Sequence, residues 1–200
     1  MSDECKACRC AAPRLERRTL FKTVLGGLMA LPFADAAIAQ GRSPAKARPR
    51  KGDRFVFALG ERQDELVAPA DVQPGATPVL TYPIDPQTQV IRNGSRINQV
   101  VLVRVDPEQI ADNTRRYAAD GIVAYSAFCT HRGCPVMGWQ VETRMLKCPC
   151  HNSEFDPRDG ARVILGPAKR RLAALPLHIV DGVLMAAGGF KGRLGMKPGY

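Results

Sequence analysis

The chain is poor in aromatic residues, in histidine and in long apolar runs. Aromatics make up 6% of its 200 residues, with a single tryptophan, and they are scattered. Recognisable nucleic-acid motifs include an RNP-type run of aromatics that stack bases and a zinc-finger spacing of two Cys followed by two His. Neither pattern is present, so the net charge of +10 does not point to nucleic acid. A bilayer span takes about 20 consecutive apolar residues. The uncharged stretch at residues 23–34, TVLGGLMALPFA, falls short of that and contains Pro32 and two glycines. No nucleotide-binding glycine loop and no nucleophile–base motif is recognisable. Acidic residues are outnumbered 19 to 29, for a pI near 9.6. A balance of this kind suits an acidic partner, an anionic membrane surface or simply a solvated basic face.

Scarce histidine makes its placement informative. Two of the three histidines and four of the seven cysteines fall between residues 129 and 151. That stretch reads CTHRGC, a spacer, then CPCHNS. Thiolates and imidazoles are transition-metal ligands, and chance seldom places two such clusters with matching extra cysteines. Two Cys and two His would satisfy tetrahedral zinc. Here, however, each short loop contributes one Cys and one His, which suits a binuclear centre whose two metals want different donors. The third histidine, His178, sits between Leu177 and Ile179 at a strand position and reads as structural. Trp139 and Tyr125 read as packing.

The N-terminal segment reads as an address. Residues 14–22, RLERRTLFK, are basic, residues 23–34 are apolar, and Ala37-Ile38-Ala39 offers a small-x-small cleavage site. Arg17-Arg18 followed by Thr19, Leu20, Phe21 and Lys22 resembles a twin-arginine signal. The resemblance implies export of an already folded protein, with retention as an uncleaved anchor as the alternative. Cys5, Cys8 and Cys10 precede this signal and receive no role. Residues 40–52 carry prolines and basic residues without a large apolar side chain, and are expected to form a flexible basic linker.

The rest, residues 53–200, is expected to be one domain, with its metal-binding part at about 125–170. Strands are predicted at residues 55–59, 100–105 and 122–126, from β-branched and apolar runs. Residues 68–86 hold five prolines and are expected to be loop with short extended pieces. Asp106-Pro107 looks like a helix start, and the helix is predicted to run to Gly121. Apolar runs on either side of Asp181-Gly182 predict a hairpin. The fold class expected is all-β: an antiparallel domain with an inserted metal-cluster subdomain and one short helix.

CTHRGC, CPCHNS and the later Gly166-Pro167-Ala168 together resemble the Rieske iron–sulfur family, over residues 95–190. The resemblance implies one [2Fe–2S] cluster, with Cys129 and Cys148 on one iron and His131 and His151 on the other. It implies a disulfide between Cys134 and Cys150, as in the respiratory branch of the family, and such a bridge needs an oxidising compartment. Residues 166–168 would cover the cluster. Ser153 would donate a hydrogen bond to a bridging sulfide. Phe155 stands where quinol-oxidising members place a tyrosine that donates to a cysteine sulfur, so a lower potential is expected. Arg132, beside His131, is expected near the docking tip.

These features imply a periplasmic electron-transfer subunit, not a catalyst by itself. It would relay single electrons between a catalytic oxidoreductase, such as a molybdenum enzyme of the arsenite oxidase type, and a c-type cytochrome or the respiratory chain. The alternative is a membrane-anchored Rieske subunit of a quinol–cytochrome c oxidoreductase.

Overall fold

The structure, a computed structural model, describes residues 43–196. The predicted signal segment and Cys5, Cys8 and Cys10 lie outside the described residues. Ten strands follow in order: β1 (Arg54–Phe57), β2 (Val79–Ile84), β3 (Val100–Arg104), β4 (Ile122–Ser126), β5 (Gly138–Gln140), β6 (Met145–Cys148), β7 (Ser153–Asp156), β8 (Arg162–Leu165), β9 (Leu177–Val180) and β10 (Val183–Ala186). Among the described residues one short α-helix, α1 (Asp112–Arg115), lies between β3 and β4. All ladders are antiparallel: β1-β2-β3-β4, β5-β6-β7-β8 and the β9-β10 hairpin.

The insertion is visible in the hydrogen bonding. The chain leaves the edge of the first sheet at the end of β4, forms β5–β8, and returns to that same edge. Ser126 N–H donates to Ala173 O at 2.8 Å and Leu175 N–H to Ala124 O at 2.9 Å. The β9-β10 hairpin then closes toward β1, where Gly52 N–H donates to Ala186 O and Ala186 N–H to Asp53 O, both at 2.8 Å.

Strands β3 and β4 are buried on both faces, which is why they read as unbroken apolar runs. Val101, Val103, Val123 and Tyr125 point into a core shared with the β5–β8 sheet. Val100, Leu102, Ile122 and Ala124 point the other way, against Phe55 and the hairpin residues Leu177 and Leu184. The central sheet thus separates two cores, and the one facing the insertion contains Cys129 and Cys148. Tyr125 pins the two sheets together: its hydroxyl donates to Pro157 O at 2.6 Å, and burial holds its pKa far above the ordinary phenol value.

Three expectations are corrected. Residues 68–86 contain β2, a full strand of the sheet. Pro83 is tolerated because the β2–β3 ladder covers only Val79 to Thr81, so the missing N–H lies beyond that partner. The predicted helix from Asp106 to Gly121 is instead a single 3-10 turn, Pro107–Gln109, followed by α1. Asp106 does cap the turn, accepting from Glu108 N–H. Ile110 and Ala111 are then extended, and Ala111 N–H donates to Arg158 O at 3.0 Å. A tertiary hydrogen bond to the insertion has displaced local helix propensity.

The described part of the predicted linker, residues 43–52, is laid against the domain. Gly94 N–H donates to Ala45 O, Asn98 donates to Ala47 O and accepts from Arg48, and Pro49 is buried. Polar composition withholds a core of its own, but the backbone finds partners in the buried Asn98. Nearby, Arg92 forks onto Asp53 at 2.6 and 2.9 Å with both side chains almost fully buried. Losing one partner of such a pair costs about 3–5 kcal/mol, because the other charge is left buried alone.

Candidate metal centre

Three loops at one end of the inserted sheet build the site. The first, between β4 and β5, carries Cys129, His131 and Cys134. It is a tight loop in which Cys129 N–H donates to Cys134 O and Gly133 N–H to Cys129 O, both at 2.9 Å. Gly133 has φ +75° and lies against the Phe128 ring, so a side chain there would collide with the ring. The second loop joins β6 to β7 across the pair Cys148↔Ser153. It holds Pro149, Cys150, His151 and Asn152, the last with φ +54°. The third is residues 166–168.

Cys134 and Cys150 are joined in the structure, with S–S 2.12 Å and Cα–Cα 6.5 Å, a separation within the ordinary disulfide range. The bridge ties the first loop to the second. The Cys148 sulfur lies within 4.8 Å of both bridged sulfurs. Bridged sulfurs are not thiolate ligands, which among the described residues leaves Cys129 and Cys148 as the free pair; both are buried.

Burial sorts the four donors into two layers. Burial pushes the Cys129 thiol up to about 11, and the neighbouring Cys148 raises it further. A metal would displace that proton. His151 is exposed and His131 half-buried, with ring centroids 4.7 Å apart and an interplanar angle of 85°. Partial burial lowers the His131 pKa, and the charges of His151, Arg132 and Lys169 lower it further, so its neutral, ligating form is favoured. His131 Nδ1 is itself buried and has no hydrogen-bond partner among the described residues. A buried nitrogen without a partner is costly, and ligation would satisfy it. Two free buried thiols in one core, two adjacent imidazoles toward solvent and this orphaned nitrogen fit a sulfur-and-nitrogen-ligated iron–sulfur cluster.

The third loop closes down on the second. Gly166 (φ +89°) approaches so closely that a Cβ would lie 2.6 Å from Ser153 Cα. Ala168 N–H donates to the buried Ser153 Oγ at 3.1 Å. The hydroxyl thus accepts from the loop and keeps its own proton for another acceptor. Phe155 is fully buried opposite Leu146, in the same core as Cys129 and Cys148. Arg132 is exposed beside His131.

Sequence reasoning missed the tethers. Thr130 Oγ1 donates to Arg170 O at 2.6 Å, joining the first loop to the segment after the third. Arg96 donates to Gly133 O at 3.3 Å and lies over the Phe128 ring. The Thr between Cys129 and His131 was a visible signal, since a hydroxyl confined between two candidate ligands needs a partner. Nothing local marked Arg96. A cavity of about 440 Å³ lies elsewhere, lined by residues including Arg104, Asp106, Trp139 and Arg144, with none of the four candidate ligands among them.

A family model described as "Rieske [2Fe-2S] domain" matches residues 81–176. A cytochrome bc1 complex Rieske iron–sulfur subunit from Streptomyces lividans is 36% identical over 140 residues, covering 68% of this chain and 81% of that protein. The chain belongs to the Rieske family. Its cofactor is therefore a [2Fe–2S] cluster, and its role electron transfer. A second bc1 Rieske subunit, from Streptomyces coelicolor, is 32% identical over 190 residues, covering 92% of this chain. The Rieske chain spans about half of that relative's length (53%). A third relative, from Haloferax mediterranei, is named a putative respiratory nitrate reductase subunit Rieske; it is 41% identical over 106 residues, covering 52% of this chain and 47% of that one. The all-β expectation with an inserted subdomain agrees with the sheets described above.

Proposed function

We propose that Cys129 and Cys148 hold one iron of the cluster and His131 and His151 the other, and that the protein is an exported electron relay. It passes single electrons between a catalytic oxidoreductase and a c-type cytochrome or the respiratory chain. A molybdenum enzyme of the arsenite oxidase type suits the donor side, given Phe155 and the twin-arginine-like segment. The observation that carries this reading is the layering of the site: buried thiols, with imidazoles at the surface. When bound, the cluster supplies one-electron chemistry at a potential raised by neutral imidazole ligation. The chain's own residues do the rest. Burial of Cys129 and Cys148 keeps water from the sulfur side. His151 presents a conducting edge to a docked partner. Ser153, oriented by Ala168 N–H, offers a hydroxyl proton to sulfur, and Phe155 offers none. Arg132 stands at the docking tip.

A second reading is favoured by the names of the two Streptomyces relatives: a subunit of a membrane quinol–cytochrome c oxidoreductase, in which an exposed histidine accepts a hydrogen bond from quinol. No helix among the described residues is long and apolar enough to cross a membrane; on this reading the N-terminal segment is kept as an uncleaved anchor. Purification of the native protein separates the two. Recovery from the periplasmic fraction with a large oxidoreductase subunit or a c-type cytochrome is expected. Recovery in washed membranes, with residues 1–39 intact and a b-type cytochrome attached, would contradict the relay and establish the second reading.

A further inference from the structure

Two adjoining cavities, of about 230 and 380 Å³, share Arg171, Leu172, Lys191 and Gly192 in their walls and so form one continuous groove. Its lining includes six cations, Arg116, Lys169, Arg170, Arg171, Lys191 and Arg193, and no carboxylate. Among the described residues none of the six forms a salt bridge. Asp159, which borders the groove through Asn113, is occupied by Arg162 at 2.7 Å. Lys169, Arg171, Lys191 and Arg193 are exposed. Such a concentration of one sign costs self-repulsion and stands out from a mixed surface.

The groove is fastened to the metal centre. It starts at Lys169, the residue after Ala168, whose N–H holds Ser153. Arg170 O accepts from Thr130, which lies between Cys129 and His131. The Arg170 guanidinium in turn donates to Arg193 O and Gly195 O, holding the far wall. A partner lying along this track would have its redox centre beside the histidine edge.

We infer that this groove is the docking track for an acidic segment on the surface of the protein's redox partner. The inference rests on the relay reading above. The lining has one aromatic, Tyr117, already covered by Arg116 at 4.8 Å, so it offers no stacking ladder for single-stranded nucleic acid. It also lacks an exposed large apolar residue that would enter a membrane interface. Carboxylates meeting guanidinium and ammonium groups steer encounter and fix register, with rate effects of ~10- to 10³-fold that collapse with salt.

The test uses the full-length, cluster-loaded protein, reduced and mixed by stopped flow with an acidic c-type cytochrome and, separately, a basic one. The double variant Lys191→Glu/Arg193→Glu alters two side chains that make no hydrogen bond among those described and leaves the cluster's absorption spectrum as a check on folding. The expected result is about a tenfold slower transfer to the acidic cytochrome, lost at high salt, with no slowing for the basic one. Equal rates for variant and parent with the acidic cytochrome would overturn the groove while leaving the relay intact. Failure of the parent to reduce either cytochrome would overturn both. Tighter binding of a single-stranded oligonucleotide or of anionic phospholipid vesicles than of an oligoglutamate peptide would also overturn the proposal, assigning the groove to another partner class.

Discussion

Phe155 is the residue on which the proposed relay differs most from quinol oxidation. It is fully buried in the core that holds Cys129 and Cys148, and its ring offers sulfur no hydrogen bond. Each donor to a cluster sulfur stabilises the reduced, more negative state. Phe155→Tyr is therefore expected to raise the reduction potential measured by protein-film voltammetry; an unchanged or lowered potential would count against this role. Gly166 makes a different kind of demand. Its φ of +89° and the 2.6 Å approach to Ser153 Cα leave no room for a methyl group. Gly166→Ala should destabilise the folded protein by at least about 1 kcal/mol and speed loss of cluster absorbance on warming, because the third loop can no longer seat Ala168 on Ser153. Both residues were singled out in the sequence, since the motifs around them are specific. What was not legible was direction. Ser153 was expected only as a donor, whereas its oxygen also accepts from Ala168 N–H, a contact made by a residue fifteen positions away.

Among the elements, the Cys134–Cys150 bridge makes the two candidate metal-binding loops one unit. Its sequence separation of 16 corresponds to about 3 kcal/mol on the chain-entropy account. Replacing both cysteines by serine should lower the thermal midpoint and hasten cluster release, while the β1–β4 sheet keeps its far-UV signature. A midpoint equal to the parent's would show that the loops are held without the bridge. The elements also show why some strands were legible and others not. β3 and β4 are buried on both faces and announce themselves as apolar runs. Strands β5–β8 have three or four residues each, and their positions are shared with ligand loops, so no alternation survives to be read. β2 was masked by Pro83 within it and Pro78 and Pro86 on either side, because nothing local shows that Pro83 lies past the end of a partner ladder. The helix after Asp106 failed at Ala111, whose N–H is taken by Arg158 of the insertion; that competition exists only once the chain has folded.

At the scale of the whole molecule, one design feature recurs: the inserted sheet leaves and returns to a single edge of the central sheet, and the metal loops sit at its end. The half of the core nearest the insertion contains the free cysteines, so a cluster held there as proposed would stabilise the packing and be stabilised by it. The basic composition seen at the outset acquires a location, since six of its cations line one groove that starts beside the metal loops. The central claim is that a cluster with two thiolate and two imidazole ligands forms from Cys129, Cys148, His131 and His151. The most direct measurement is pulsed electron paramagnetic resonance of the reduced protein grown with ¹⁵N-histidine. The account predicts a [2Fe–2S] signal carrying hyperfine coupling from two histidine nitrogens, reduced to one coupled nitrogen or lost in His151→Cys. A colourless zinc-loaded protein, or an iron–sulfur signal without histidine coupling, would contradict it.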